Sequence, residues 1–176
     1  MTTSIDKYLD QTIEDIKSIK NQKQKIKRIV SLLKNKNVFV CGNGGSSSTA
    51  SHMVNDLVKI CNINARCLSD NVPLLTAWAN DSEYEYVFVN QLKTLAKKGD
   101  VLIVITGSGN SENIVNAVNW SFINGLDIVA LLGMEGGVLK NSGKLTEFIH
   151  IPTDMLHSED AHLIIEHLIS YVGGKV

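Results

Sequence analysis

Five consecutive aliphatic positions, Val101-Leu102-Ile103-Val104-Ile105, read as a strand buried on both faces. Ile128–Leu132 repeats that pattern, Val38-Phe39-Val40 does so more briefly, and Ala65–Leu68 and Glu147–Ile151 complete a set of five strands. Between them, apolar residues recur at helical spacing. Helices are predicted from the glycine-rich junction after Val40 to about Ile60, at Leu74–Asn80, at Glu83–Lys97, and from Glu112 to Asn124, where Gly125 ends the helix. A last one runs from Ser158, read as its N-cap, to Val172, while Gly133–Gly137 is a loop. Ahead of the first strand, Ile5, Leu9, Ile13, Ile16 and Ile19, then Ile26, Ile29, Val30 and Leu33, give two helices, or one broken near Asn21-Gln22, between Thr3 and Asn35.

Strands alternating with helices predict an α/β fold, a parallel sheet with helices on both faces. Ligands of such sheets collect beyond the carboxyl ends of the strands. Two loops rich in glycine and hydroxyl residues fall there: Gly42–Ser48, opening the helix after the first strand, and Thr106–Ser111. In the second loop, Thr106, Ser108 and Ser111 offer hydroxyls, and Gly107 and Gly109 let backbone N–H groups approach a ligand. With no lysine or arginine in the loop, a phosphate there is held by neutral donors and helix dipole, which suits a phosphate monoester. Neither GxxxxGK[ST] nor GxGxxG is present, so a nucleotide site is disfavoured. The competing reading is that Ser108–Ser111 only cap the next helix.

His52 and Asp56, at i and i+4, share a helix face, and Glu159, His162 and His167 share a broad face of the last helix. His52, Asp56, Glu159 and His167 would together make a two-histidine, two-carboxylate set suited to a divalent metal such as zinc. The spacing lacks the compactness of HExxH, and nothing in the sequence brings the two helices together. His150, His157 and His162, with Trp78 and Trp120, read as surface, strand-end or packing residues. Tyr84 and Tyr86, near Asn80-Asp81, border either the pocket or a subunit contact.

At 176 residues, 44% apolar and with a net charge of −1, the chain fits one domain, 1–176, and no nucleic-acid surface is expected. Cys41, Cys61 and Cys67 form no CxxC pair, which points to a reducing compartment. With no signal peptide at Met1–Asp10 and no apolar run approaching a membrane span, a cytoplasmic protein is expected.

Cys41-Gly42-Asn43-Gly44-Gly45-Ser46, Ala50-Ser51-His52, Asn80-Asp81, Gly99-Asp100-Val101-Leu102, Gly107-Ser108-Gly109-Asn110-Ser111 and the Glu159–His167 helix together resemble the sugar isomerase (SIS) domain family, in its phosphoheptose isomerase branch. The resemblance spans nearly the whole chain. It implies a three-layer αβα sandwich with a five-stranded parallel sheet, assembled as a homotetramer whose active sites lie between subunits. The N-terminal helical segment, residues 1–36, would serve that packing.

The same resemblance places Ser46, Thr106, Gly107, Ser108 and Ser111 at the substrate phosphate. It places Asn43, Gly44, Gly45, Asn80 and Asp81, with Glu159, at the sugar. His52, Asp56, Glu159 and His167 fall at the positions of the family's zinc ligands and acid/base pair, so Asp56, Glu159 and His167 are the catalytic candidates. Family members carry Glu at Asp56 and Gln at Glu159, which suggests an exchange of duties, with Glu159 as base or ligand and Asp56 as ligand. Two further departures are Ile60, where the family usually has a basic residue, and Asp154–His157. The implied reaction is ketose-to-aldose conversion of a phosphorylated sugar through an enediol, sedoheptulose 7-phosphate being the first expectation. The alternative is a non-catalytic member of the fold, an oligomer that binds sugar phosphates or another protein such as a replication initiator.

Overall fold

The computed structural model describes residues 3–175. Two helices, α1 (Ser4–Asn21) and α2 (Lys23–Leu33), precede strand β1 (Val38–Gly42), so the break falls at Gln22. There follow α3 (Gly45–Lys59), β2 (Ala65–Cys67), α4 (Val72–Asp81), a 3₁₀ turn (Tyr84–Tyr86), α5 (Val87–Leu95), β3 (Val101–Thr106), α6 (Glu112–Ile123), β4 (Asp127–Leu132), α7 (Gly137–Lys140), β5 (Glu147–His150) and α8 (Met155–Gly173). The five strands form one parallel sheet in the order β2-β1-β3-β4-β5.

Strand alternation sorts the core into two layers. Val38, Val40, Val101, Ile103 and Ile105 pack on one face with α2, α3 and α8; Phe39, Cys41, Leu102, Val104 and Ile128 pack on the other with α5 and α6. The architecture is the three-layer α/β sandwich expected from the sequence. From β1 the chain steps to β2 on one side, then crosses back to β3 on the other. The carboxyl ends of β1 and β3, in register at Gly42 and Ile105, therefore open the crevice where strand order reverses.

Three elements differ from the sequence reading by more than two residues or in kind. The last helix starts at Met155, not Ser158: the Asp154 side chain accepts from the His157 N–H at 3.0 Å and caps it. The Ser158 hydroxyl instead donates back to the Asp154 carbonyl at 2.6 Å, a bond of the helix interior. The segment expected as one helix over Glu83–Lys97 is a 3₁₀ turn and then α5, divided at Tyr86, whose φ of −106° and ψ of 1° are not helical. Part of the loop after β4 winds into the single turn of α7.

Helix α1 lies against α8. The Tyr8 hydroxyl donates to Asp160 at 2.6 Å, and its ring stacks on His157 with centroids 4.0 Å apart. Its other face carries Ile5, Leu9, Ile13 and Ile16, exposed by 69, 54, 50 and 45%. No described helix is long and apolar enough to cross a membrane.

Candidate active site

Helices α3 and α6 both begin at the crevice, and in neither does the N-cap residue make a side-chain capping bond. Gly44, with φ +57° and ψ −126°, turns the chain from β1 into α3 in a conformation that favours glycine. Ser111 stands at the start of α6 but makes no capping bond, so its hydroxyl is not committed to the helix. Thr106 accepts from the Gly109 N–H at 3.1 Å and Ser108 from the Asn110 N–H at 3.2 Å, which fixes the shape of the second loop. Free N–H groups and two positive helix ends at one crevice suit an anion.

A cavity of about 290 Å³ fills this junction. Its lining includes Asn43, Gly44, Gly45 and Ser46 from the first loop, and Thr106, Gly107, Ser108 and Ser111 from the second. Met155 and Glu159 close it from α8, and Glu159 is the one titratable side chain of the lining. A Cβ on Gly45 would run into the Glu159 carboxylate, so any side chain here would push that carboxylate aside. Asn43 is held by Asn113: each amide donates to the other at 2.9 Å, and the Tyr84 hydroxyl donates to Asn43 at 3.2 Å. The local sequence pattern does not point to Asn113, because that pairing exists only across the crevice.

Asn80 and Asp81 lie elsewhere, at the exposed end of α4, with the Asn80 amide donating to Asp81 at 2.9 Å. They are not among the residues lining this cavity.

Farther along α3 and α8 is a second cluster. His52, Asp56, Glu166 and His167 each offer a ligand atom, and these atoms all lie within 4.8 Å of one another. The His52 and His167 rings meet edge to face with centroids 4.9 Å apart. Glu166 stands between them, one carboxylate oxygen 3.7 Å from His52 Nδ1 and 3.3 Å from His167 Nε2. It is fully buried, and neither of its oxygens has a hydrogen-bond partner. Burial first, and the neighbouring Asp56 charge second, push its pKa up to about 7. An unpaired buried carboxylate is unfavourable by several kcal/mol, on the order of the cost of an uncompensated polar group or more. A divalent cation would relieve both this and the repulsion from Asp56, so the donor set fits a metal.

The structure thus brings together three of the four expected ligands, His52, Asp56 and His167. Glu159 is outside the cluster, and Glu166, absent from the sequence-derived set, is inside it. The signal available in the sequence was a lone carboxylate in the apolar run Ile164-Ile165-Glu166-His167-Leu168.

The SIS domain family matches residues 7–133. A phosphoheptose isomerase of Leptospira biflexa serovar Patoc is 41% identical over 140 residues, covering 75% of this chain and 71% of that protein. A solved phosphoheptose isomerase from Neisseria gonorrhoeae superposes with a TM-score of 0.87 at 26% identity, over 98% of this chain and 97% of that one. Another, from Francisella tularensis, gives 0.88 at 27% identity, over 99% and 100%.

Proposed function

The chain belongs to the SIS domain family, and from that premise we propose that it is an aldose–ketose isomerase converting sedoheptulose 7-phosphate to glycero-manno-heptose 7-phosphate through an enediol. The name shared by its relatives favours this over a non-catalytic binding oligomer. The observation that carries the reading is Glu159, a lone carboxylate in a crevice otherwise lined by glycines, hydroxyls and other neutral residues.

The phosphate sits on Ser46, Thr106, Ser108, Ser111 and the N–H groups around Gly107, held by neutral donors and helix ends that also let product leave. Asn43, Gly44 and Gly45 face the sugar chain, and Asn80 and Asp81 complete its surroundings in the assembled oligomer. Glu159 takes a proton from C1 of the ketose as the C1–C2 double bond forms and the C2 oxygen gains a proton. It then returns the proton to C2 as O1 loses its hydrogen and becomes the aldehyde oxygen, so substrate and product differ only in where hydrogens sit.

His52, Asp56 and His167 would hold zinc or another divalent ion. When bound, that ion supplies Lewis acidity toward the sugar oxygens. On this reading Asp56 and His167 act as ligands and Glu159 moves the proton. The apolar stripe on α1 fits packing between copies in a homotetramer, and the setting is cytoplasmic.

Following aldose formation from sedoheptulose 7-phosphate tests the reading. Conversion by the wild type, slowed about 100-fold by Glu159→Gln, is expected. No aldose from metal-supplied wild type, or faster turnover by Glu159→Gln, overturns it.

A further inference from the structure

The geometry points to Glu166 as the fourth protein ligand of a divalent metal ion, with His52, Asp56 and His167, and to Glu159 as no ligand at all. This rests on the metal-assisted isomerase reading and changes which carboxylate belongs to which half of the site.

Three observations carry it. First, Glu166 is fully buried, aimed between two imidazoles, and leaves both oxygens without a hydrogen bond. A buried carboxylate with no donor of its own matches a cation ligand better than a structural acid. Second, the four ligand atoms already lie within 4.8 Å of one another. Two carboxylates then balance a dication, and two imidazoles complete a four-donor set. Third, Glu159 is not among the residues whose ligand atoms converge. Its carboxylate is against Gly45, in the phosphate crevice. Asp56 is one methylene shorter than the glutamate that the family resemblance places at that position, and Glu166 brings a second carboxylate to the same cluster.

The experiment is Co²⁺ titration of the whole protein after chelator treatment, read by visible d–d absorption and by calorimetry, on wild type, Glu166→Gln and Glu159→Gln. The wild type should bind one ion per chain. Glu159→Gln should keep that stoichiometry and spectrum, with affinity within about twofold. Glu166→Gln should bind at least about 100-fold more weakly, since loss of even an indirect ligand contact costs 10–100-fold. Thermal melting without metal should show Glu166→Gln no less stable than wild type, because an unpaired buried charge is gone. Should Glu166→Gln fold poorly, Glu166→Leu repeats the test without a polar group.

Wild-type affinity and spectrum in the Glu166 variants, loss of the ion in Glu159→Gln, or no Co²⁺ bound by the wild type would each overturn the inference. If the ion binds as expected but sedoheptulose 7-phosphate gives no aldose, the isomerase reading falls and the Glu166 assignment stands.

Discussion

His52 on α3 and His167 on α8 meet edge to face, ring centroids 4.9 Å apart, although most of the chain separates them. The contact arises because both helices pack on the same face of the sheet, through Ala50, Met53 and Leu57 on one and Ala161, Ile165 and Ile169 on the other. Burying those apolar positions turns the i, i+4 pair of α3 toward the C-terminal half of α8. Packing of the core and assembly of the imidazole pair are one event.

Because both rings are about half exposed, His52→Ala and His167→Ala should change stability by little, within about 0.5–1 kcal/mol. Each should nonetheless weaken divalent-metal binding by at least about 100-fold, measured by calorimetry on metal-stripped protein. Equal metal affinity in either variant would contradict the donor set.

Gly45→Ala puts a methyl group where the Glu159 carboxylate now lies. The carboxylate must then move, and a shift of about 1 Å costs on the order of 100-fold in turnover. Metal binding, on the far side of the site, should stay as in the wild type. Steady-state kinetics and a Co²⁺ spectrum on the same sample check both halves.

Ser111→Ala removes a hydroxyl that takes no part in capping α6. It should leave the melting temperature unchanged and raise KM for the sugar phosphate about 5–10-fold, the worth of one neutral hydrogen bond. A destabilised protein with unchanged KM would return Ser111 to a structural role.

His162 is fully buried, and neither ring nitrogen has a hydrogen-bond partner by geometry. Burial pushes its pKa down to about 4. The unfolded chain then binds this proton at higher pH than the folded one, so stability falls as pH drops from about 6.5 toward 4, by about 3 kcal/mol in all. Urea unfolding across that range should show the loss in wild type and a shallower one in His162→Leu. Parallel curves would contradict the assignment.

On α1, Leu9→Glu and Ile13→Glu introduce charges into the exposed stripe, where neither side chain supports the monomer core. Sedimentation should show a smaller assembly with helical content retained. An unchanged assembly state would place the interface elsewhere.

Much of this molecule is legible in the sequence. Val101–Ile105 announces a central strand because five aliphatic residues in a row suit a position covered on both faces. The two hydroxyl loops are legible because both fall at the carboxyl ends of strands, where ligands of a parallel sheet collect. What escaped depends on phase and partners. Ser158 looks like a cap, but Asp154 accepts the His157 N–H and starts the helix a turn earlier. Glu159 and Glu166 lie on the same helix, and only the position of α3 decides which faces the imidazoles. Asn113 acquires its meaning from Asn43, across the crevice.

The most direct measurement is proton NMR of sedoheptulose 7-phosphate incubated with the metal-loaded wild type and with Glu159→Gln in D₂O. Proton transfer through a carboxylate in an open crevice predicts aldose heptose 7-phosphate carrying deuterium at C2 from the wild type, and at least about 100-fold slower labelling from the variant. Aldose formed at equal rates by both, or unlabelled sugar recovered intact from the wild type, would contradict it.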